Sequence, residues 1–225
     1  VQGSAARAAV LGSGDGLLTN ISLVLGVAGA STTGSAVRVA GVAGLLAGAF
    51  SMAAGELVSV KAHDELVQHE IAVERTELAD DPAGEQRELA AMYRARGVPA
   101  KDADTVARIL MAVPEVALDT HVRLELGVDP DDAGSSREAA VVSFLSFSVG
   151  AVLPLLPWFF TSGFAALLAS IIIGASAAVA LGAAIGLFSG QGVWRTAGRQ
   201  LLAATVAASV TYGVGHLLGA GLGAR

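Results

Sequence analysis

The residues best suited to chemistry are glutamates. Glu70, Glu74 and Glu77 fall within about 60° of arc on one helical face. Glu85 and Glu88 share a face of the next helical stretch, and Glu125 follows His121 by one turn. Like charges at this spacing destabilise a helix unless bases sit nearby. Between Asp64 and Glu77 the only base is Arg75, and neither Glu85 nor Glu88 has a base four positions away. Two readings fit the spacing. One is a set of carboxylates for divalent cations, which prefer such hard oxygen donors. The other is a solvated acidic face. Asp15 poses a different question, because it lies about two turns inside an apolar segment. An ionisable group there costs at least ~2.5 kcal/mol and marks a functional site by default. Glu56 and, one turn earlier, Met52 lie near the end of the second apolar segment. Met52 is read either as packing or as a thioether ligand.

Long apolar helices must position these groups. The chain has 225 residues, of which 53% are hydrophobic and only 15% charged. All 20 acids except Asp15 and Glu56 fall between Asp64 and Glu138, and none follows Ala139. Apolar runs predict membrane-spanning helices at roughly 8–30, 37–60, 139–160, 164–188 and 201–222. Helices satisfy their own backbone in lipid, and alternating barrel strands are absent from the pattern. The expected fold is therefore an all-α membrane protein of five spans, with an acidic helical domain inserted between spans 2 and 3. The expected divisions are 1–62, 63–134 and 135–225. Nothing near Val1 reads as a cleavable signal, so the first segment should be retained.

Within the acidic block, a helix should continue span 2 as far as Ala79. Asp80-Asp81-Pro82 should stop it and restart the next, and Gly97 and Gly127 should end later helices, with a break at Pro114. Ser135 and Glu138 suggest a capping box, Pro154 and Pro157 should close span 3, and Trp158 and Trp194 suit the membrane interfaces. Small residues recur every fourth position, as at Gly12/Gly16, Gly44/Gly48 and Gly182/Gly186, a spacing that permits close helix packing. Every Lys and Arg of the 14 except Arg38 and Arg225 falls on the side of the acidic block. That bias predicts a cytoplasmic N-terminus and acidic domain, with the C-terminus outside. The net charge of −6 argues against a nucleic-acid partner, and the absence of cysteine excludes thiolate metal sites. No hydrolase or phosphate-binding motif is present, so an enzyme is not expected.

Three stretches resemble the vacuolar iron transporter family: Asp15-Gly-Leu-Leu-Thr; Ser51-Met-Ala-Ala-Gly-Glu-Leu-Val-Ser-Val60; and Glu74-x-x-Glu77-Leu with Glu85-x-x-Glu88-Leu, Tyr93 and Gly97. The resemblance implies a homodimer in a bilayer, here a bacterial cell membrane, that exports divalent iron and manganese from the cytoplasm in exchange for protons. It implies no resident cofactor; the cargo would be Fe2+ or Mn2+, with Zn2+ and Co2+ as further candidates. It makes Glu74, Glu77, Glu85, Glu88 and Glu125 the carboxylate ligands, with His121 where relatives can have methionine. Asp15 and Met52, and with them Glu56, become translocation-path residues. Gly44 departs from the plant-type pattern, which has a glutamate there. A membrane-anchored metal sensor or store is the alternative.

Overall fold

The computed structural model describes residues 2–30, 33–129 and 135–223. Residues 31–32, and Arg225, which counted toward the orientation, lie outside them. No strand occurs among the described residues. The helices are α1 (Gln2–Ala30), α2 (Gly34–Asp80), α3 (Pro82–Ala95), α4 (Ala100–Leu110), α5 (Pro114–His121), α6 (Ser136–Leu155), α7 (Pro157–Phe160), α8 (Gly163–Ser189) and α9 (Val193–Gly223), with a π turn at Val122–Leu126. Five are long and apolar enough to cross a membrane: α1 over Ala9–Ala30, α2, α6, α8, and α9 over Val193–Gly221. The chain divides into two compact units, Val1–Leu57 with Ser136–Arg225, and Val58–Ser135.

In the first unit, glycine decides how closely helices approach. A Cβ added to Gly16 of α1 would strike the Phe147 carbonyl of α6, and one added to Gly150 would strike the Ser13 carbonyl. α1 and α6 therefore run side by side with their backbones in contact, both in the same direction. Gly215 and Gly219 of α9 meet Gly26 and Ala30 of α1 in the same way, and Gly182 and Gly186 of α8 meet Ala197 and Val193 of the oppositely directed α9. Small residues at these seams let van der Waals contact drive association where lipid offers no hydrophobic gain. α2 is seated differently. Its Gly41, Gly44 and Gly48 receive the side chains of Leu155, Leu23 and Phe147 rather than backbone.

Polar side chains fasten this unit at a few points. Asn20 Nδ2 donates to the Ala151 carbonyl at 2.6 Å. Trp158 Nε1 donates to Ser170 Oγ at 2.9 Å, and Ser170 Oγ donates to the Pro154 carbonyl at 2.7 Å. Trp158 corrects the interfacial expectation. It is only 2% exposed and packs with Val24, Val37, Leu155 and Ala166, because Ser170 gives its indole N–H an internal partner. Trp194 is exposed. Two boundaries also differ from expectation. Pro154 lies inside α6, whose break comes only between Leu155 and Pro157. α9 begins at Val193 rather than near Leu201, since nothing between Trp194 and Gln200 prevents helix and only apolarity starts late.

In the second unit, α2 runs without interruption to Asp80. Asp81 caps α3, accepting from the Gly84 backbone N–H at 2.9 Å, and Pro82 fills the first turn, where no backbone donor is needed. Gly97 (φ 92°) and Gly127 (φ 66°) end their helices in the left-handed region. Leu89, Ala90 and Ala107 form a small core, joined by Tyr93, Leu110 and Met111.

Candidate metal centre

The fold of the second unit converges on one buried polar point. Glu74 projects from the later part of α2 and is 4% exposed, and His121, the last residue of α5, is 0% exposed. Glu125 follows in the π turn and is exposed. Ligand atoms of these three residues lie within 4.8 Å of one another, close enough to share one cation. Glu85 of α3 reaches in as well, with Oε2 3.5 Å from His121 Nδ1.

The local hydrogen bonding is incomplete. His121 Nδ1 lies 2.8 Å from Glu74 Oε1, but outside hydrogen-bonding geometry. Glu74 Oε1 and both ring nitrogens of His121 are thus buried with no hydrogen-bond partner. Buried polar atoms are nearly always satisfied, and leaving one unsatisfied costs roughly 1–3 kcal/mol. Glu74 Oε1 and one of the two ring nitrogens, with a Glu125 oxygen within reach, form a set that a cation would complete.

The electrostatics agree. Burial, then the charges of Glu125, Glu85 and Glu77, push Glu74 up to about 7, and a hydrogen bond with Glu125 adds to this. Glu85 is raised by burial and by Glu88, Glu77, Glu125 and Asp81. Burial, with the charge of Glu88 next, also raises Glu125, while its hydrogen bond with Glu74 pulls the other way. Their shared hydrogen bond thus favours the proton on Glu74 over Glu125. Burial lowers His121 below its ordinary value and outweighs the charge of Glu88, so the ring stays neutral and able to ligate. A divalent cation would relieve the mutual repulsion and displace the Glu74 proton. Glu77 and Glu88 are exposed but close enough for their charges to act on the cluster.

The path candidates lie in the other unit and form no such cluster. Asp15 is exposed on α1, while Met52 and Glu56 on α2 are half-buried. Met52 packs beside Ala49, Phe144 and Phe147, and Gly16, next to Asp15, abuts the same Phe147. A cavity of about 460 Å³ between α1, α8 and α9 is lined by Ile21, Leu25, Leu167, Ile171, Leu201 and Tyr212 among others. Its lining holds no carboxylate or imidazole, and it does not suit an ion.

A sequence model of the VIT family matches residues 6–216. The chain belongs to the VIT family. Its members are transporters, not enzymes. This VIT family chain is 37% identical over 214 residues to "Vacuolar iron transporter homolog 1" of Oryza sativa subsp. japonica, a match covering 95% of the chain and 73% of the relative. It is 35% identical over 219 residues to "Vacuolar iron transporter" of Acanthamoeba castellanii, covering 94% and 77%. With "Vacuolar iron transporter 1" of Oryza sativa subsp. japonica it shares 30% identity over 213 residues, covering 94% and 84%. These relatives are eukaryotic and named vacuolar, and they lend no support to a bacterial cell membrane. Five apolar helices and the family together make this VIT member an integral membrane protein.

Sequence reasoning missed two features of this VIT family chain. One is Asn20, fully buried in a span, whose Oδ1 has no partner and lies 3.3 Å from where a Cβ of Gly44 would stand. A polar residue in an apolar run was its available signal. The other is the set of arginines around the π turn. Arg123 Nε lies 2.8 and 2.9 Å from the Asp119 carboxylate oxygens, and its Nη1 lies 2.8 Å from Asp129. Arg96 Nη2 donates to the Leu124 carbonyl at 3.1 Å. No spacing rule connects Arg96 to Leu124.

Proposed function

We propose that this protein moves divalent iron, and manganese as well, out of the cytoplasm across a membrane in exchange for protons, working as a homodimer. The observation that carries it is the convergence of Glu74, His121 and Glu125 with buried ligand atoms left unpartnered. The names of the relatives supply iron as cargo. Carboxylate oxygens with one imidazole suit Fe2+, Mn2+, Co2+ and Zn2+, and availability selects among them. The acid-rich unit faces the cytoplasm with the N-terminus, and the C-terminus lies on the far side. There Glu74, Glu85, Glu125 and His121 capture the ion, while Glu77 and Glu88 raise its local concentration by their charge. Capture releases the proton held on Glu74.

Asp15, Met52 and Glu56 then pass the ion through the spans. An exposed carboxylate on a spanning helix cannot face lipid cheaply. A second copy covers that face of α1, so that two Asp15 side chains line a hydrated path. Protonation of Asp15 and Glu56 from the far side returns protons inward. With glycine at 44, that level of the path has no acid on α2, and the polar group nearest to it is the neutral amide of Asn20. The test is Fe2+ flux into proteoliposomes with and without an imposed pH gradient. Flux that rises with the gradient supports exchange. Metal binding without flux would instead identify a sensor or store.

A further inference from the structure

Glu125 sits on the least regular backbone of the acid-rich unit. Val122–Leu126 form a π turn, whose hydrogen bonds close one residue later than those of an α-helix. Such turns are rare and occur frequently at functional sites. Gly127 at φ 66° then ends the helix. Carbonyls in a final turn lack intrahelical donors and need partners from elsewhere.

One of those carbonyls finds its partner on another helix. Arg96 Nη2 donates to Leu124 O at 3.1 Å, while Nη1 of the same guanidinium donates to Met92 O at 3.2 Å. Arg96 is the residue that closes α3, and α3 carries Glu85 and Glu88 in its first two turns. A single planar group therefore links the helix bearing Glu85 to the peptide unit adjoining Glu125. Arg123 braces the turn from its other side, joining Asp119 in α5 to Asp129 beyond Gly127. Glu125 is exposed and surrounded by like charges. Without a fixed backbone its carboxylate would swing into water, away from Glu74.

We propose that Arg96 is a positioning residue for the captured ion: by bridging α3 to the Leu124 carbonyl, it holds Glu125 within ligand distance of Glu74 and His121. The inference rests on the capture role given to that cluster. Arginine suits the task because its rigid fork reaches two carbonyls at once, which a lysine ammonium does less well.

The test is a thermodynamic cycle on the full chain in detergent, with MnCl2 titrated calorimetrically. Wild type, Arg96→Met, Arg96→Lys, Glu125→Ala and the double variant Arg96→Met/Glu125→Ala are compared, with helicity and melting recorded for each. Loss of groups that orient ligands typically weakens metal binding 10–100-fold. Arg96→Met should weaken Mn2+ binding about tenfold, with Arg96→Lys falling between it and wild type. The double variant should bind no more weakly than Glu125→Ala alone, since Arg96 acts only through Glu125. Wild-type affinity in Arg96→Met, or a double variant that loses the product of both single effects, would overturn the proposal. Should Arg96→Met fail to fold, Arg96→Lys and Arg96→Lys/Glu125→Ala complete the same cycle. If Glu125→Ala binds Mn2+ as tightly as wild type, the capture role itself fails.

Discussion

The two compact units bury polar atoms in opposite ways. In the bundle of residues 1–57 and 136–225, hydroxyls mostly turn back on their own helices: Ser13 donates to Ala9 O, Ser146 to Val142 O and Thr211 to Ala207 O. Among the described residues, the unpartnered buried side-chain atoms there are neutral: Asn20 Oδ1, Ser22 Oγ and Ser143 Oγ. In residues 58–135 the unpartnered atoms belong to Glu74 and His121, and they converge. Lipid tolerates a few neutral unpaired atoms and rejects charge. The acid-rich unit can crowd carboxylates together where a proton or a cation offsets their repulsion. Acid-lined chemistry and close helix packing thus impose different rules on one chain, and α2 contributes residues to both units.

The largest expected effect breaks this division in the bundle. Asp15→Ala should abolish Fe2+ flux in proteoliposomes while the size-exclusion profile stays that of wild type. Wild-type flux would remove Asp15 from the path. Next, Glu74→Ala with His121→Ala should weaken Mn2+ binding by about a hundredfold or more, since both would be direct ligands in a buried site under the proposed function. Melting without metal separates lost binding from lost packing, because His121→Ala opens a cavity at a fully buried site. Unchanged calorimetric affinity would sever the cluster from the metal.

A third prediction concerns pH. Glu74 holds its proton up to about 7, and the metal must displace it. Mn2+ affinity should therefore fall as pH drops below 7, by up to about tenfold per unit for that one proton. Because folding raises this acid from 4.5, its contribution to metal-free stability is present below that value and is lost as pH rises through 7. Metal should consequently raise the melting temperature more at pH 8 than at pH 5. A pH-independent affinity would show that Glu74 carries no displaceable proton.

The smallest effect tests the seams. A Cβ at Gly150 meets the Ser13 backbone, whereas one at Gly55 meets nothing within 4 Å. Gly150→Val should cost several kcal/mol or prevent folding. Gly55→Ala should stabilise by up to about 1 kcal/mol through helix propensity. Equal melting temperatures for the two variants would deny that backbone contact holds α1 to α6.

Much of the architecture was legible because its causes are local. Apolar run lengths located the five spans, and Asp81-Pro82, Gly97 and Gly127 marked their helix ends. Charge spacing singled out Glu70, Glu74, Glu77, Glu85, Glu88 and Glu125 without choosing between a cation site and a solvated face, and the family resemblance drew His121 in beside them. What escaped depends on contacts distant in sequence. Trp158 is buried only because Ser170, on another helix, meets its indole N–H. The π turn and the Arg96 bridge arise where α3 meets the chain after α5, and no periodicity encodes that meeting. Nor could spacing separate the buried Glu74 from the exposed Glu77 three residues later, since tertiary cover alone distinguishes them.

The most direct test of the central claim is anomalous diffraction from crystals soaked in Mn2+. The account predicts a peak bonded to Glu74, His121 and Glu125 at oxygen and nitrogen ligand distances. Mn2+ bound elsewhere, with these three side chains empty and apart, would contradict it.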